Sequence, residues 1–328
     1  MAKQTGLGDN AYVGGYDLSG DIQALGTIRG SRTLLEATGI NKSAMERLPG
    51  IKDGEISFVS YFNDAIGQAH ATLKGLPTAD VQVMYFRGTT LGNPVAAMLA
   101  KQVNYDATRG ADGSLTFAVQ ALANASSISG LAGGLEWCRS LTAGKETDTG
   151  AASGTSVSDD VSDWTDPVTI TSSSIANPTV ITTATAHGLV TGDSVVIAGH
   201  TSVTPDINGE WEVTVLTSTT FTIPVEVTAD GVDGTVTKTS SNFGLSGYLQ
   251  VFSVTGTSIT VTIEDSPDDS TFASLLAFTA VADPGPGTER KQTGATAVVQ
   301  KYLRATSSGT FNPATFAVAY CRHHEAML

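Results

Sequence analysis

This chain of 328 residues has only two cysteines, five histidines, 7% aromatic and 15% charged residues, and each scarcity removes a class of function. Cys138 and Cys321 stand 183 positions apart, so they form no local CxxC metal or redox motif and are expected as two buried or half-buried thiols. Lys and Arg number 18 against 32 Asp and Glu, a formal net charge of −14, which works against a phosphate-gripping surface and a sequence-specific nucleic-acid reader. Apolar runs such as residues 94–100 fall far short of the roughly 18–20 residues that a membrane-spanning helix needs, so no membrane insertion is expected. No apolar stretch of about 7–15 residues follows Lys3, and synthesis in the cytosol without a secretory signal is the expectation. The chain contains no G-x-S-x-G, no G-x-x-x-x-G-K-[ST] and no H-E-x-x-H. It is therefore read as a non-enzyme, with no catalytic, cofactor-binding or metal site expected.

What the chain does have is apolar content, 41% of residues, and the length to bury a core in each of two or three domains. Its acidity is uneven. Residues 1–148 carry 12 Lys and Arg against 14 Asp and Glu, a net of −2, whereas residues 149–328 carry 6 against 18, a net of −12. Between residues 147 and 174 nearly every second residue is Ser or Thr, interspersed with Gly150, Gly154, Asp159, Asp160 and Asp163, the marks of a linker or an exposed edge strand. The division this suggests is 1–148, then 149–166 as linker or first strand of the last domain, a module inserted at 167–238, and a final unit at 239–328.

Period-two patterning dominates, and the fold class read from it is mainly β. Residues 11–22 form a strand with a turn or bulge at paired glycines; 55–62, 81–85, 98–104, 115–122 and 135–141 are further strands. Asn63 or Asp64 is placed to cap a short helix running through Leu73, because Ala65, Ile66, Ala69 and Leu73 recur at helical spacing and Gly75 with Pro77 stops it. Short strands at 179–183, 194–198, 211–216, 221–223 and 235–237 alternate with Gly- and Asp-rich turns, giving a small β-barrel module. Strands at 247–255, 258–264, 272–278, 297–306 and 315–321 make the last unit a β-sandwich.

Groups that could carry chemistry are few. His70 falls in the helix and His187 and His200 in turns of the small module, all read as packing or surface residues. His323, His324 and Glu325 hold ligand-type atoms, but adjacent side chains diverge and no second cluster accompanies them in sequence. Glu264, Asp265, Asp268 and Asp269 lack the order of a calcium loop and are read as a solvated acidic turn. Trp137, Trp164 and Trp211 are read as core or edge packing.

Two sets of residues carry a resemblance. Tyr16, Asp17, Leu18, Ser19, Gly20 and Asp21, followed by Leu48, Pro49, Gly50, Ile51, Lys52, Asp53 and Gly54, resemble the opening of the major tail proteins of long-tailed bacteriophages, the subunits of the tail tube. Lys101 to Tyr105, Asp112 to Leu115 and Leu141 to Gly144 are similar to the rest of that domain, so the resemblance spans roughly residues 1–146. Residues 186–193 with 206–211 resemble a small β module that recurs as an insertion in phage structural proteins.

The resemblance implies a tail-tube-like two-sheet β domain with a short helix, followed here by the small β-barrel module and the C-terminal β-sandwich as exterior decoration. It implies a virion tail protein, assembled in the host cytoplasm as a homo-hexamer whose rings stack into a tube. The tape-measure protein and double-stranded DNA would occupy the lumen without sequence-specific binding. The arm at residues 1–10 and a loop at 30–52 become inter-ring contacts, with Leu34, Leu35, Ile40, Met45 and Leu48 as candidates or, equally, as caps on the domain's own core. The sign of the lumen depends on where Asp17, Asp21, Glu55, Asp80 and Glu136 lie. The alternative is a capsid decoration protein or tail adhesin that binds host-surface glycans through its C-terminal β domains.

Overall fold

Period two in the sequence becomes sheet along most of the chain. The computed structural model describes residues 6–125, 134–158, 167–189, 191–241, 244–266, 269–295 and 297–323. The first half forms β1 (Asn10–Val13), β2 (Tyr16–Asp17), β3 (Ile22–Glu36), β4 (Arg47–Tyr61), α1 (Ala69–Leu73), β5 (Val81–Phe86), β6 (Pro94–Arg109), β7 (Leu115–Ala123) and β8 (Glu136–Ser140). Three short strands follow, β9 (Glu146–Asp148), β10 (Ala152–Ser153) and β11 (Val157–Ser158). A module contains β12 (Val168–Ser173), β13 (Thr179–Thr183), β14 (Ser194–Ala198), β15 (Gly209–Glu212), β16 (Thr214–Thr217), β17 (Thr220–Ile223) and β18 (Thr235–Ser241). The chain then runs through β19 (Leu245–Ser266), β20 (Ala273–Ala277), β21 (Val281–Ala282), β22 (Gly287–Gln292), β23 (Val299–Gln300) and β24 (Tyr302–Arg322). Mainly β is the fold class of the structure.

β5 and β6 are covered on both faces, which is why residues 94–100 read as an unbroken apolar run rather than an alternating one. Val83, Ala96, Met98 and Ala100 face one core, shared with Ile56, Phe58, Val119 and the Ala69 and Leu73 of α1. Met84, Phe86, Val95 and Ala97 face a second core, shared with Tyr12, Cys138, Tyr248, Ala317 and Ala319. That second core joins the two ends of the chain.

The sheet runs β2-β1-β5-β6-β8-β24-β19-β20. β8 is the hinge pin of this order: it pairs with β6 at Cys138–Val95 and with β24 at Ser140–Ala319 and Arg139–Tyr320. The sheet then curls until β19 meets β1. Gln250 on β19 accepts the Gly15 N–H at 2.6 Å and donates to the carbonyls of Gln82 and Tyr12 at 3.1 and 3.4 Å. Gln82 in turn donates to the Glu289 carbonyl on β22 at 3.2 Å. Both glutamines are buried, and they share strand parity with the inward-facing Met84 and Tyr248. The result is a near-barrel around the second core, its seam joined by side-chain amides. Gly15 is required there: its φ is +86°, and a Cβ would stand 2.5 Å from that of Pro286.

Sequence patterning presents residues 239–328 as a unit of its own, but two of its strands complete the sheet of the first half. The patterns at 247–255 and 258–264 are one strand, β19, while that at 297–306 is divided between β23 and the start of β24, which also contains 315–321. Register shifts around Ser253 and Gly256 bend this ladder; within 245–251 Tyr248 faces the barrel while Leu245, Leu249 and Val251 turn to a third core, which 254–266 extends with Leu303, Phe311 and Val299. β9, β10 and β11 also pair with β24.

The module keeps a separate core, including Ile170, Ile181, Val195, Phe221 and Val236. Its first and last strands pair at Val168–Val236, so the chain enters and leaves at one place, the geometry an insertion needs. Lys238 and Asp193 form a buried ion pair at 3.0 Å beside that exit.

Two local readings require correction. The helix is limited to Ala69–Leu73 and takes no side-chain cap from Asn63 or Asp64. Asp21, 48 residues earlier, accepts the Ala69 N–H at 2.8 Å and so supplies the cap from outside, while Ile66 is left exposed. The loop expected at 30–52 is a β-hairpin formed by β3 and β4. Neither face of its outer half is buried, so the period-two alternation that marks a half-buried strand is missing from its sequence.

Replacing residues 168–238 by a short Gly-Ser linker is expected to leave a protein that still melts cooperatively by circular dichroism. Removing 245–323 strips β8 of a neighbour and the barrel of one wall, and loss of cooperative melting is expected. Gln250→Ala leaves the buried Gly15 N–H without its partner, at about 1–3 kcal/mol for each orphaned group. A urea titration with an unchanged midpoint would contradict the role given to the seam.

Candidate functional site

The inner half of the β3–β4 hairpin gives Ile56 and Phe58 to the first core, whereas the apolar residues of its outer half belong to no core cluster among the described residues. β3 and β4 pair from Ile22–Ser60 to Glu36–Arg47, a ribbon of about 50 Å at roughly 3.3 Å per residue. β7 supports only the inner half of β4, from Tyr61–Thr116 to Glu55–Leu122. Leu135 closes over Gly30 and Gly54 and Gly134 lies against Lys52 and Asp53, while residues 31–36, 47, 48 and 51 are exposed.

All five apolar candidates lie on this outer ribbon or its turn and all are exposed: Leu34, Leu35, Ile40, Met45 and Leu48. They cover none of the chain's own cores. Ile51, which the sequence reading did not place among the candidates although it sits inside the motif that carries the resemblance, is exposed in the same way at 81%. Leu35 and Leu48 face each other across the ladder, and Leu34 lies on the opposite face, so apolar groups are offered on both sides. Charge is nearly balanced here: residues 22–61 carry five Lys and Arg against four Asp and Glu, in a chain of net charge −14. Arg29–Glu55 at 2.9 Å and Lys42–Glu46 at 3.6 Å pair part of it internally. The far edge of β3 has no strand partner among the described residues.

The motif at residues 16–21 builds the base of this hairpin. Asp17 accepts the Ser19 N–H at 3.1 Å and its hydroxyl at 2.6 Å, Ser19 accepts the Ala11 N–H at 3.0 Å, and Leu18 is fully buried. Lys145 reaches Asp17 at 2.7 Å. Burial raises the Asp17 carboxyl, but the hydrogen bonds from Lys145 and Ser19 outweigh it and hold it below its ordinary value. The four carboxylates named with Asp17 in the sequence are also occupied: Asp21 caps α1, Glu55 pairs with Arg29, Asp80 with Lys101 at 2.8 Å, and Glu136 with Arg290 at 2.9 Å. Each is answered locally by a cation or a backbone N–H.

The remaining candidate groups are used in packing. His70 contacts the Tyr105 hydroxyl at 3.1 Å and lies against the rings of Phe62 and Phe117. His187 is buried edge-on to Phe221 and accepts the Leu189 N–H at 3.0 Å. His200 Nδ1 stands 2.7 Å from the Asp233 carbonyl, which makes that nitrogen the donor, and Nε2 meets Ser173 at 3.0 Å. The acidic run is not a solvated turn at its start: Glu264 pairs with Arg304 at 2.8 Å, and buried Asp265 accepts the Gln300 N–H at 2.8 Å. Trp211 donates to the Ile207 carbonyl at 2.7 Å, whereas Trp137 is 57% exposed on β8. Trp164, Asp159, Asp160, Asp163, Asp268, His324, Glu325 and residues 1–5 of the arm lie outside the described residues. Among the described residues no helix is long and apolar enough to cross a membrane.

No protein-family model matches this chain, and no curated protein matches it. Among solved structures it is similar to the SPP1 Dit (gp 19.1) protein, described as a paradigm of the hub adsorption apparatus in phages infecting Gram-positive hosts. That alignment covers 96% of this chain and 99% of the other at 11% identity, with a TM-score of 0.24, too low to carry fold or function from one to the other.

Because the folded Asp17 carboxyl lies below its unfolded value, its stabilisation is present above the ordinary carboxylate range and is lost as pH falls through the depressed value. Lys145→Ala is expected to lose about 1 kcal/mol or less at neutral pH, as befits a half-exposed pair. The gap from the parent closes in acid, and denaturant titrations at several pH values check this.

Proposed function

We propose that this chain is a structural subunit of a bacteriophage tail that self-assembles into stacked hexameric rings forming a tube for genome passage. The observation that carries the reading is the hairpin: a long ribbon, apolar on both faces, nearly neutral, with an open strand edge. An exposed edge of 15 residues is a template for pairing, and a soluble monomer normally shortens it, charges it or covers it. A closed ring covers it with identical copies, and stacked rings bury the apolar end of the ribbon. The sequence resemblance to tail-tube subunits points the same way, since its second motif lies on β4.

In this reading Leu34, Leu35, Ile40, Met45, Leu48 and Ile51 pack against a neighbouring copy. The module at 167–238 is carried on the outside of the tube. The tape-measure protein and double-stranded DNA pass through the lumen without sequence-specific contacts. Assembly takes place in the host cytoplasm.

A chain carrying Leu34→Asp and Ile40→Asp is expected to melt within about 0.5 kcal/mol of the parent, because both positions are exposed. Sedimentation velocity over a range of concentrations is expected to show the parent in large assemblies and the variant as a protomer. A variant that assembles as the parent does would remove the hairpin from the interface.

A further inference from the structure

We propose that Glu136, Cys138, Cys321 and His323 form a binding site for one zinc-type divalent ion at the polar end of the near-barrel. The register of two strands builds the site. β8 and β24 pair at Ser140–Ala319 and Arg139–Tyr320, and continuing that register sets Cys138 opposite Cys321 and Glu136 opposite His323. Alternate residues on one strand share a face, so all four side chains point to the same side. The side chains meet accordingly. Ligand atoms of Glu136, Cys321 and His323 all lie within 4.8 Å of one another, and Cys138 stands beside Cys321 in the continued register.

Two sulfurs, an imidazole nitrogen and a carboxylate oxygen are a tetrahedral set for zinc, with bonds of about 2.3 Å to sulfur and 2.0–2.2 Å to nitrogen and oxygen. Those bond lengths separate neighbouring ligand atoms by about 3.3–3.8 Å. Glu136, Cys321 and His323 must therefore tighten by roughly 1 Å, and Cys138, whose Sγ now faces the Glu136 carbonyl at 3.7 Å, must turn its thiol in to complete the four. In sequence the histidine pair near residue 323 has no second cluster; the fold brings one from 185 positions away.

A second ring of contacts holds the ligands. Tyr248 donates to Glu136, Arg290 donates to the same carboxylate oxygen at 2.9 Å and to Ser246 at 2.8 Å, and Ser246 meets His323 at 3.0 Å. Such outer partners fix ligand orientation in metal sites. Charge closes as well. Two thiolates and one carboxylate bring −3, the ion +2 and Arg290 +1, so the loaded site is neutral. Without the ion, Glu136 is already paired with Arg290 at 2.9 Å. Loading forms two metal–sulfur bonds and releases two protons.

The test uses the full-length protein, purified under reducing conditions and dialysed against a chelator, with cobalt(II) as optical probe and zinc(II) as competitor. One equivalent of cobalt is expected, with a thiolate-to-cobalt charge-transfer band that one equivalent of zinc abolishes. Bound zinc is expected to slow reaction of the two thiols with a disulfide reagent at least tenfold. Cys321→Ser removes the band, and His323→Ala, at a strand end and mild for folding, weakens binding by at least roughly tenfold. Any of three results overturns the proposal: no band with thiol reactivity unaffected by zinc, full binding retained in Cys321→Ser, or a Cys138–Cys321 disulfide that forms in the presence of zinc.

Discussion

The amides of Gln250 and Gln82 join strands that lie far apart along the sheet path, and the rest of the molecule is arranged around that contact. A sheet of this length twists and must either splay or curl, and curling brings its first strands against β19 without a continuous backbone ladder between them. Backbone groups at such a seam would be buried and unpaired. Gln250 meets three backbone groups at once, accepting the Gly15 N–H and donating to the Tyr12 carbonyl and to the Gln82 carbonyl, which also takes the Gly14 N–H, and a shorter or apolar side chain cannot do this. The interior so enclosed is apolar in its middle, with Tyr12, Phe86 and Val95, and polar at one end, where Glu136, Tyr248 and Arg290 meet.

Closure has a consequence for the outside. Once β1, β5, β6, β8, β24 and β19 curl upon one another, and α1 with the inner hairpin covers the other face of β5 and β6, the outer ribbon of β3 and β4 shares in no core formed by the described residues. Its leucines and isoleucines are left in water by geometry rather than by poverty of the sequence. A ribbon of that length, nearly neutral in an acidic protein, is the part of the surface where like-charge repulsion between copies is weakest, which is why the proposed assembly is built on it. The separate core of the module, joined at adjacent strands, means that it adds bulk and negative charge without taking part in closure.

Much of the fold is legible in the sequence because half-buried strands write their burial as alternation; β5, β7, β13 and β14 fall where the pattern puts them. Three kinds of feature are not legible, each for a physical reason. The hairpin lacks alternation because both faces are wet. The cap of α1 comes from Asp21, so a search confined to the helix and its flanks finds only Asn63 and Asp64. The seam, and the meeting of Glu136 with Arg290 across 154 positions, depends on register and curvature that no local window contains. The candidate contact residues are the reverse case: five were visible as apolar residues without a period, but only the structure shows that they cover no core of their own.

Negative-stain electron microscopy of the unmodified full-length protein across a concentration series tests the central claim most directly. Hollow rings, or tubes with outward knobs, that grow in number with concentration are the predicted result. Dispersed single protomers at every concentration would contradict it, and would mean that the exposed ribbon serves some partner other than a copy of this chain.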